Sequence, residues 1–265
     1  MINFYKYHGA GNDFIMINNL DKSISITPED ISLYCDRNFG IGADGIILLE
    51  PSSVADCFMN YYNSDGTIAQ MCGNGARCTA KFYLKETGKE VKEINLETRA
   101  GIKNIKVNED DTYSVDMGAP MFESPDFPSN TLKLEGFDFN CVSMGNPHAV
   151  ALVEDSEKID LKTIGPKIEN NENFPNKINV EFVEKISDDY YKVKVWERGC
   201  GATLACGTGA CAVYSILNLK QGPSLLSGKE ITLEFPGGKL YLSKNEQDHV
   251  ILRGPATFVF EGEII

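Results

Sequence analysis

Short segments of alternating apolar and polar residues recur along the chain. They include residues 94–98, 191–195 and 231–235, which read INLET, YKVKV and ITLEF. Because successive side chains of a strand point to opposite faces, this period of two predicts strands with one buried face. Residues 27–30, TPED, have the pattern of a capped helix start with proline at the first helical position.

Two longer segments, residues 76–86 and 210–220, contain neither proline nor glycine and favour helix. Gly88 and Gly222 follow these segments at the same distance. Glycine suits the left-handed position just past the C-terminus of a helix. The sequence therefore predicts two similar helices that each end before a glycine.

These helices belong to an internal repeat with an offset of 134 residues. Residues 72–76, CGNGA, recur as residues 206–210, CGTGA. The same offset relates Gly11-Asn12 to Gly145-Asn146, Asn63 to Glu197, and Gly45 to Asn179. A chance match would not keep its register at four places, so we expect two similar α/β halves, each with a sheet and a helix that begins at a cysteine.

Composition narrows the function. The 265 residues are 42% hydrophobic, enough for packed cores, and the formal charge of -13 argues against binding to nucleic acid or to an anionic membrane. The first residues lack an apolar signal core, and no uncharged apolar run approaches the roughly 20 residues of a membrane helix. We therefore expect a cytoplasmic protein, whose eight cysteines are reduced thiols.

A cysteine placed just before a helix has distinctive chemistry. The first backbone N–H groups of a helix lack intrahelical partners and carry partial positive charge, so they lower the pKa of a thiol and bind a carboxylate. Glycines at 73, 75, 207 and 209 let a ligand approach the backbone. Two such thiols on opposite sides of one cleft suit the inversion of a stereocentre, in which a base removes the Cα proton from one face and an acid returns a proton to the other. That reaction requires no metal and no pyridoxal cofactor.

The other cysteines are expected to be small buried side chains without a chemical role. They are Cys35, Cys57, Cys78, Cys141, Cys200 and Cys211. Among the three histidines, His8 and His249 have the character of structural residues, whereas His148 could be structural or functional. Glu197 and Arg198 precede Cys206 and are followed by Gly199, which favours a role in ligand binding over a surface ion pair.

Four ordered motifs resemble those of the diaminopimelate epimerase family. They are HGAGNDF at 8–14, MCGNGARC at 71–78, GNPH at 145–148, and ERG at 197–199 running on to ACGTGA at 205–210. The resemblance covers the whole chain. It implies two pseudosymmetric α/β domains, each a mostly antiparallel sheet wrapped around a central helix, over residues 1–117 with 254–265 and residues 118–253. The site would lie between them.

The resemblance also implies a reaction, the interconversion of LL-2,6-diaminopimelate with its meso isomer on the path to lysine and peptidoglycan. Cys72 and Cys206 would be the two acid–base groups, with His148 and Glu197 as further contributors to activity. Gly73, Asn74, Gly207 and Thr208 would hold the reacting carboxylate. The amino groups and the distal carboxylate would be held by Asn12, Asn63, Asn146, Asn179, Glu197 and Arg198. The partner is then a small amino acid, no cofactor or metal is needed, and a homodimer is allowed.

The chain departs from the family at two positions, since some members have glutamine in place of Gly45 and many have an acidic residue in place of Ala202.

A proline or hydroxyproline racemase is the nearest alternative, although that family usually has histidine where Asn74 stands. A racemase of another amino acid on the same scaffold also stays open. A zinc protein, a nucleotide-binding module and a cysteine hydrolase fit less well. The chain has no C-x2-C pair and no complete phosphate-binding motif, and a single nucleophile leaves the repeat unexplained.

Overall fold

The computed structural model describes residues 1–221 and 229–265. Contacts divide the chain into two compact units, which we call the N-terminal unit (Met1–Val115 with Gly254–Ile265) and the C-terminal unit (Asp116–Arg253). The boundary expected from the sequence lay two residues further on, after residue 117.

The N-terminal unit contains two helices and a continuous series of paired strands. The helices are α1 (Pro28–Cys35) and α2 (Gly73–Thr87). The strands are β1 (Ile2–Gly9), β2 (Asn12–Asn18), β3 (Gly45–Glu50), β4 (Cys57–Asn63), β5 (Glu93–Thr98), β6 (Gly101–Val107), β7 (Thr112–Asp116) and β17 (Thr257–Ile264). Strand β17 pairs with β1, and from β1 to β7 each strand pairs with the next.

The C-terminal unit is built in the same way. Its helices are α3 (Leu161–Glu169) and α4 (Gly207–Gln221). Its strands are β8 (Leu132–Leu134), β9 (Phe137–Ser143), β10 (Pro147–Val153), β11 (Asn179–Lys185), β12 (Tyr190–Glu197), β13 (Gly201–Thr203), β14 (Ile231–Phe235), β15 (Gly238–Lys244) and β16 (Val250–Pro255). Pairing runs from β8 to β12 and then from β12 through β14 and β15 to β16, while β13 pairs only with β12 among the described strands.

The two units share the order and direction of strand pairing. Each series reads antiparallel, antiparallel, parallel, antiparallel, parallel, antiparallel, antiparallel. The register also repeats, because Ile46 faces Tyr62 across β3 and β4 as Val180 faces Trp196 across β11 and β12. These observations confirm the predicted α/β fold built on an internal repeat, with a mostly antiparallel sheet in each unit.

Helices α2 and α4 are the central helices of their units. Helix α2 contacts strands β1 to β6, and α4 contacts β9, β10, β11 and β15. Both are buried on nearly every side over their first two turns, which are made mostly of small or apolar residues and show no amphipathic stripe, although α2 also buries Asn74 and Arg77 there. Gly88 ends α2 in the left-handed conformation, with φ of 64°, as predicted. Gly222, its predicted counterpart, lies outside the described residues.

The remaining local predictions are also confirmed. Thr27 and Asp30 form a capping box at the start of α1, with Pro28 at the first helical position. Strands β5, β12 and β14 alternate between buried positions and positions that are exposed or partly exposed, over the segments that the period of two identified. Among the described helices, none is long and apolar enough to cross a membrane.

Candidate active site

We describe the predicted site residues in two groups, one from each unit. The N-terminal half-site contains Asn12, Asn63, Cys72, Gly73 and Asn74. The C-terminal half-site contains Asn146, His148, Asn179, Glu197, Arg198, Cys206, Gly207 and Thr208.

Cys72 is the residue that caps the N-terminus of α2. Its backbone is extended, and its Sγ accepts a hydrogen bond from the Gly75 N–H at 3.4 Å. Its side chain is half-buried. The thiol therefore lies where the first N–H groups of the helix point, as the sequence predicted.

Asn12 joins Cys72 to Asn74. The Asn12 Oδ1 accepts from Cys72 Sγ at 3.4 Å and from Asn74 Nδ2 at 3.3 Å. The Asn12 Nδ2 donates to Asp44 Oδ2 at 2.6 Å. Because the amide of Asn12 is held at both ends, its orientation is fixed and its oxygen faces the thiol.

Asp44, the hydrogen-bond partner of Asn12, belongs to a network of charged side chains. Asp13 accepts hydrogen bonds from Arg37 and forms an ion pair with Lys6 at 2.7 Å, while Arg37 also bonds to Asp44 at 2.9 Å. Burial raises the pKa of Asp13, but the bonds from Arg37 and Lys6 outweigh it and lower that pKa to about 2. Burial raises the pKa of Asp44.

Arg77 is a fully buried guanidinium beneath the same turn. It donates to Asn74 Oδ1 at 2.9 Å, to the Gly73 carbonyl at 3.3 Å and to the Pro255 carbonyl at 3.2 Å. These bonds fix the Asn74 amide so that its nitrogen faces Asn12. Asn63 lies at the end of β4, where its Nδ2 donates to Thr67 Oγ1 at 3.0 Å.

Cys206 stands immediately before α4 in the repeat-related position. Its Sγ accepts from the Gly209 N–H at 3.3 Å and lies 3.4 Å from Thr208 Oγ1. Unlike Cys72, it is buried. Thr208 in turn accepts a hydrogen bond from Asn146 Nδ2 at 3.2 Å, so these residues form one group at the start of the helix.

The predicted lowering of the thiol pKa is wrong for Cys206. Burial raises the pKa of Cys206 well above its ordinary range, and the nearby carboxyl groups of Glu197 and Glu181 raise it further. Hydrogen bonds from Thr208 and from the Gly209 N–H act in the opposite direction but do not outweigh them. The effect of the helix N-terminus is thus overridden by desolvation and by the charges of Glu197, which was expected in the site, and of Glu181, which was not.

His148 lies fully buried on β10 between two oxygen partners. Its Nδ1 is 2.6 Å from Glu181 Oε1, and its Nε2 is 3.1 Å from Asn146 Oδ1. Through Asn146 the histidine connects to Thr208 and so to Cys206. The histidine that could be structural or functional by sequence is therefore joined by hydrogen bonds to the residues around Cys206.

Glu197 ends β12 and accepts a hydrogen bond from Thr203 Oγ1. Burial raises the pKa of its carboxyl group, while the bonds from Thr203 and from Cys206 lower it. The Glu197 carboxyl group and the Cys206 thiol therefore influence each other electrostatically. A carboxyl group with a raised pKa, next to a thiol, is suited to exchange a proton with it.

Asn179 holds the turn that carries Arg198. The buried Asn179 amide accepts from the Arg198 backbone N–H at 2.9 Å and donates to the Pro147 carbonyl at 2.8 Å. The Arg198 guanidinium is exposed and donates to the Asn176 carbonyl at 2.9 Å. Asn179 and Arg198 therefore form a second group, which the described hydrogen bonds do not join to Cys206.

Of the six cysteines expected to be buried, one is not. Cys200 is exposed in the turn after β12, while the other five are buried. The prediction for Cys200 is wrong because its neighbours, Gly199 and Gly201, both adopt positive φ and direct the turn away from the core. Burial raises the pKa of Cys35, Cys57, Cys78 and Cys141 to about 12.

Three side chains of the site were not identified from the sequence, namely Asp44, Arg77 and Glu181. The sequence could have indicated Arg77 and Glu181 as buried, paired charges, because each is a charged residue inside an otherwise apolar or small-residue segment. Such a residue is buried only when other groups satisfy it. Nothing in the sequence pointed to Asp44, because aspartate is common in the turns that precede strands.

The departure at Gly45 has a steric cause. A Cβ at this position would lie 2.4 Å from the Tyr62 carbonyl oxygen and 2.6 Å from Tyr61 Cε2. No larger side chain fits while Tyr61 keeps its place. Ala202 is exposed on β13, and nothing in the structure explains its difference from the family.

Among the described residues there is no group of three or more His, Cys, Asp or Glu side chains arranged to hold a metal ion. What each half-site offers is a thiol, adjacent N–H groups and a polar side chain two residues further on. Such a set can accept or donate a proton at sulfur and bind an anion on the backbone.

Comparison with known proteins identifies the family. The family model for diaminopimelate epimerase matches residues 4–123 and 140–259. A protein named diaminopimelate epimerase from Methanococcus maripaludis strain C5 is 44% identical over 278 residues, covering 98% of this chain and 99% of the relative. One of the same name from Acetivibrio thermocellus is 42% identical over 279 residues, with 98% of each chain covered.

Solved structures with the same fold are more distant in sequence. A phenazine biosynthesis protein of the PhzF family from Bacillus anthracis has a TM-score of 0.69 at 19% identity, covering 100% of this chain and 99% of the other. A hydroxyproline epimerase from Agrobacterium vitis has a TM-score of 0.68 at 14% identity, covering 98% and 91%. These two share the fold alone, whereas the family match spans both repeats. The chain belongs to the diaminopimelate epimerase family.

Proposed function

We propose that the protein interconverts LL-2,6-diaminopimelate and meso-diaminopimelate by acid–base catalysis with Cys72 and Cys206. One observation carries this proposal. In each unit a cysteine stands at the start of the central helix, and its sulfur accepts a hydrogen bond from the backbone N–H three residues later in the chain. Family membership supports the substrate, because the relatives at 41–44% identity bear that name.

In the proposed reaction, the thiolate of one cysteine removes the Cα hydrogen as a proton and becomes a thiol. The electron pair left on Cα is delocalised into the substrate carboxylate. The other cysteine, present as a thiol, gives its proton to the opposite face of Cα and becomes a thiolate. The two sulfurs have then exchanged protonation states, and proton exchange with solvent restores the starting form.

The main energetic difficulty is the weak acidity of Cα–H. It is eased when preorganised donors lie where negative charge develops on the carboxylate oxygens. The N–H groups after Cys72 and Cys206, at Gly73, Asn74, Gly207 and Thr208, are the donors we assign to this task. Their glycines leave the backbone open to a ligand.

Cys206 begins the cycle as the acid in this scheme. Its burial, and the nearby Glu197 and Glu181, keep the proton on sulfur at neutral pH. In the opposite direction it must act as a base, and we assign Glu197 to take up the thiol proton, because burial raises the pKa of this nearby carboxyl group. His148 contributes through Asn146 and Thr208 at the same helix start.

Selectivity for diaminopimelate rests on the second amino-acid group of the substrate. We assign the distal carboxylate to Arg198, whose exposed guanidinium has donors to spare beyond the one bonded to Asn176. Asn12, Asn63, Asn146, Asn179 and Glu197 are the remaining candidates for binding amino and carboxylate groups.

Incubation with candidate substrates in D2O tests the function. Purified protein is given LL-diaminopimelate, meso-diaminopimelate, proline, trans-4-hydroxyproline and several other amino acids, and deuterium at Cα and configuration are followed together. We expect inversion with deuterium incorporation for diaminopimelate alone. Inversion of proline or hydroxyproline without turnover of diaminopimelate would replace the proposal with a racemase of that class.

A further inference from the structure

We propose that Glu181 is a positioning residue of this site, which acts through His148 by holding a second proton on the histidine ring at the start of α4. The proposal rests on the proposed function for its kinetic consequences, while the contact itself can be tested without activity.

The contact is short and completely buried. Glu181 Oε1 lies 2.6 Å from His148 Nδ1, and neither side chain has any exposed surface. Both residues belong to paired strands, since His148 lies on β10 and Glu181 on β11. A carboxylate bonded to one ring nitrogen fixes the orientation of a histidine and determines which nitrogen carries hydrogen.

The partners of the ring set the number of protons. His148 Nε2 faces the Asn146 carbonyl-type oxygen, whose amide nitrogen is already engaged with Thr208. An oxygen acceptor requires that Nε2 carries a hydrogen. A second proton then lies in the hydrogen bond between Nδ1 and Glu181 Oε1. His148 and Glu181 together therefore carry one proton more than a neutral histidine and a carboxylate would.

One oxygen of Glu181 is left without a partner. Among the residues that the structure describes, Oε2 is fully buried and makes no hydrogen bond. A buried polar atom without a hydrogen-bond partner lowers the stability of the folded protein. A glutamate kept at such a cost is poorly explained by stability, which favours a role in the site.

The N-terminal unit shows that the fold does not need this pair. The repeat offset places Phe14 where His148 stands and Ile47 where Glu181 stands, and Phe14 faces Gly45 in the register in which His148 faces Asn179. A Cβ at Gly75 would meet Ile47 Cδ1 at 3.0 Å, and a Cβ at Gly209 would meet Glu181 Oε1 at 2.6 Å. An isoleucine thus occupies in one unit the place of the glutamate in the other.

The other ionisable groups around the pair belong to the site or are inert. Glu197 on β12 and Cys206 before α4 both interact electrostatically with Glu181, and Glu197 also interacts with His148. Cys141 on β9 is a buried thiol near Glu181 whose pKa burial raises to about 12, so it keeps its proton in the neutral range. The pair therefore interacts electrostatically with Glu197 and Cys206, and hydrogen bonds through Asn146 and Thr208 connect it to the Cys206 sulfur.

Nitrogen NMR of histidine tests the contact directly. The chain has only three histidines, so a protein labelled with 15N-histidine gives few signals. We expect His148 to show protons on both ring nitrogens in the wild type, and on one nitrogen in Glu181→Gln. The His8 and His249 signals should not change, and Glu184→Gln, on the same strand but bonded to Ser156, is the matched control. An identical His148 spectrum in wild type and Glu181→Gln overturns the proposal.

A double-mutant cycle tests the kinetic role. We expect Glu181→Gln to lower kcat about 10- to 100-fold with KM changed less than about 3-fold, the usual effect of a residue that orients a catalytic group. In a His148→Gln background the same change should lower kcat less than about 2-fold, because Glu181 then has nothing to position. Equal losses in both backgrounds would show that Glu181 does not act through His148.

A second variant guards against a purely structural effect. The double change His148→Phe with Glu181→Ile reproduces the pair of the N-terminal unit, and we expect it to fold with a Tm no lower than that of the wild type. Its kcat should nevertheless fall at least as far as that of His148→Gln. If it retains the wild-type kcat, the pair has no part in the reaction. If all activity is absent even in the wild type while the NMR result holds, the proposed function fails and the contact stands.

Discussion

Asn146 donates to the Thr208 hydroxyl at 3.2 Å, and the repeat-related residues Asn12 and Asn74 are joined by a hydrogen bond of 3.3 Å that runs in the opposite direction. In the C-terminal unit the donor is the residue just before β10, whereas in the N-terminal unit the helix residue donates to the first residue of β2. The two half-sites share one backbone frame but carry different polar groups on it. We therefore expect the two thiols to be chemically unequal.

Removing either sulfur should abolish epimerisation. We expect Cys72→Ala and Cys206→Ala each to lower kcat by at least about 10²- to 10⁴-fold. Without one of the two acid–base groups, no group can remove or return a proton on one face of Cα. Far-UV circular dichroism and Tm should show that the fold is retained. The control is Cys200→Ala, which removes an exposed thiol and should leave kcat unchanged. Turnover near the wild-type rate in either of the first two variants contradicts the mechanism.

The alkylation of Cys206 should depend on pH in a defined way. Only the thiolate reacts with iodoacetamide, and the raised pKa of Cys206 means that little thiolate exists at neutral pH. The rate at Cys206, followed by peptide mass spectrometry without substrate, should be low at pH 7 and should still be rising above pH 9. Exposed Cys200 serves as the internal reference for access. A rate at Cys206 that reaches its plateau below pH 8 would show that the thiolate is favoured there instead.

Arg198 should govern recognition of the distal carboxylate. We expect Arg198→Met to raise KM for diaminopimelate about 10- to 100-fold, the value of a hydrogen-bonded charged group, with no loss of Tm because the guanidinium is exposed. Lys194→Met, which removes another cation of the same unit that is paired with Glu157, is the matched control. Unchanged kinetics in Arg198→Met would show that Arg198 does not bind the substrate and is an ordinary surface residue.

Gly45 should not tolerate a side chain. We expect Gly45→Ala to lower the free energy of unfolding by about 1–3 kcal/mol, since the new Cβ would meet the Tyr62 backbone oxygen and the Tyr61 ring. Gly75→Ala should cost less, because its nearest atom is the end of the flexible Ile47 side chain. Urea unfolding of the two variants measures the difference. A Gly45→Ala protein as stable as the wild type would show that the Tyr62 backbone and the Tyr61 ring can both shift to make room.

Local patterns in the sequence were sufficient to predict the repeat, the central helices and the strands flanking them. The period of two identified β5, β12 and β14, and the CG-x-G turns located the helix starts at Cys72 and Cys206. These features depend on neighbours in the chain, where propensity and capping act. Asn12 and Asn74 were also expected in the site, and the structure brings them together with Cys72.

The electrostatics of the C-terminal half-site could not be predicted in this way. The pKa of Cys206 depends on burial and on Glu181 and Glu197, which arrive from other strands. The exposure of Cys200 likewise depends on how a glycine turn leaves the sheet. Such effects are set by tertiary packing, which sequence spacing alone does not encode.

The most direct test of the central claim, that each cysteine serves one face of Cα, is solvent exchange by the two serine variants. Cys72→Ser and Cys206→Ser are each incubated in D2O with LL-diaminopimelate and, separately, with the meso isomer. The account predicts that each variant introduces deuterium at Cα of one isomer only, with retention of configuration, and that the two variants prefer opposite isomers. Equal exchange of both isomers by one variant, or loss of exchange from both isomers in both variants, would contradict it.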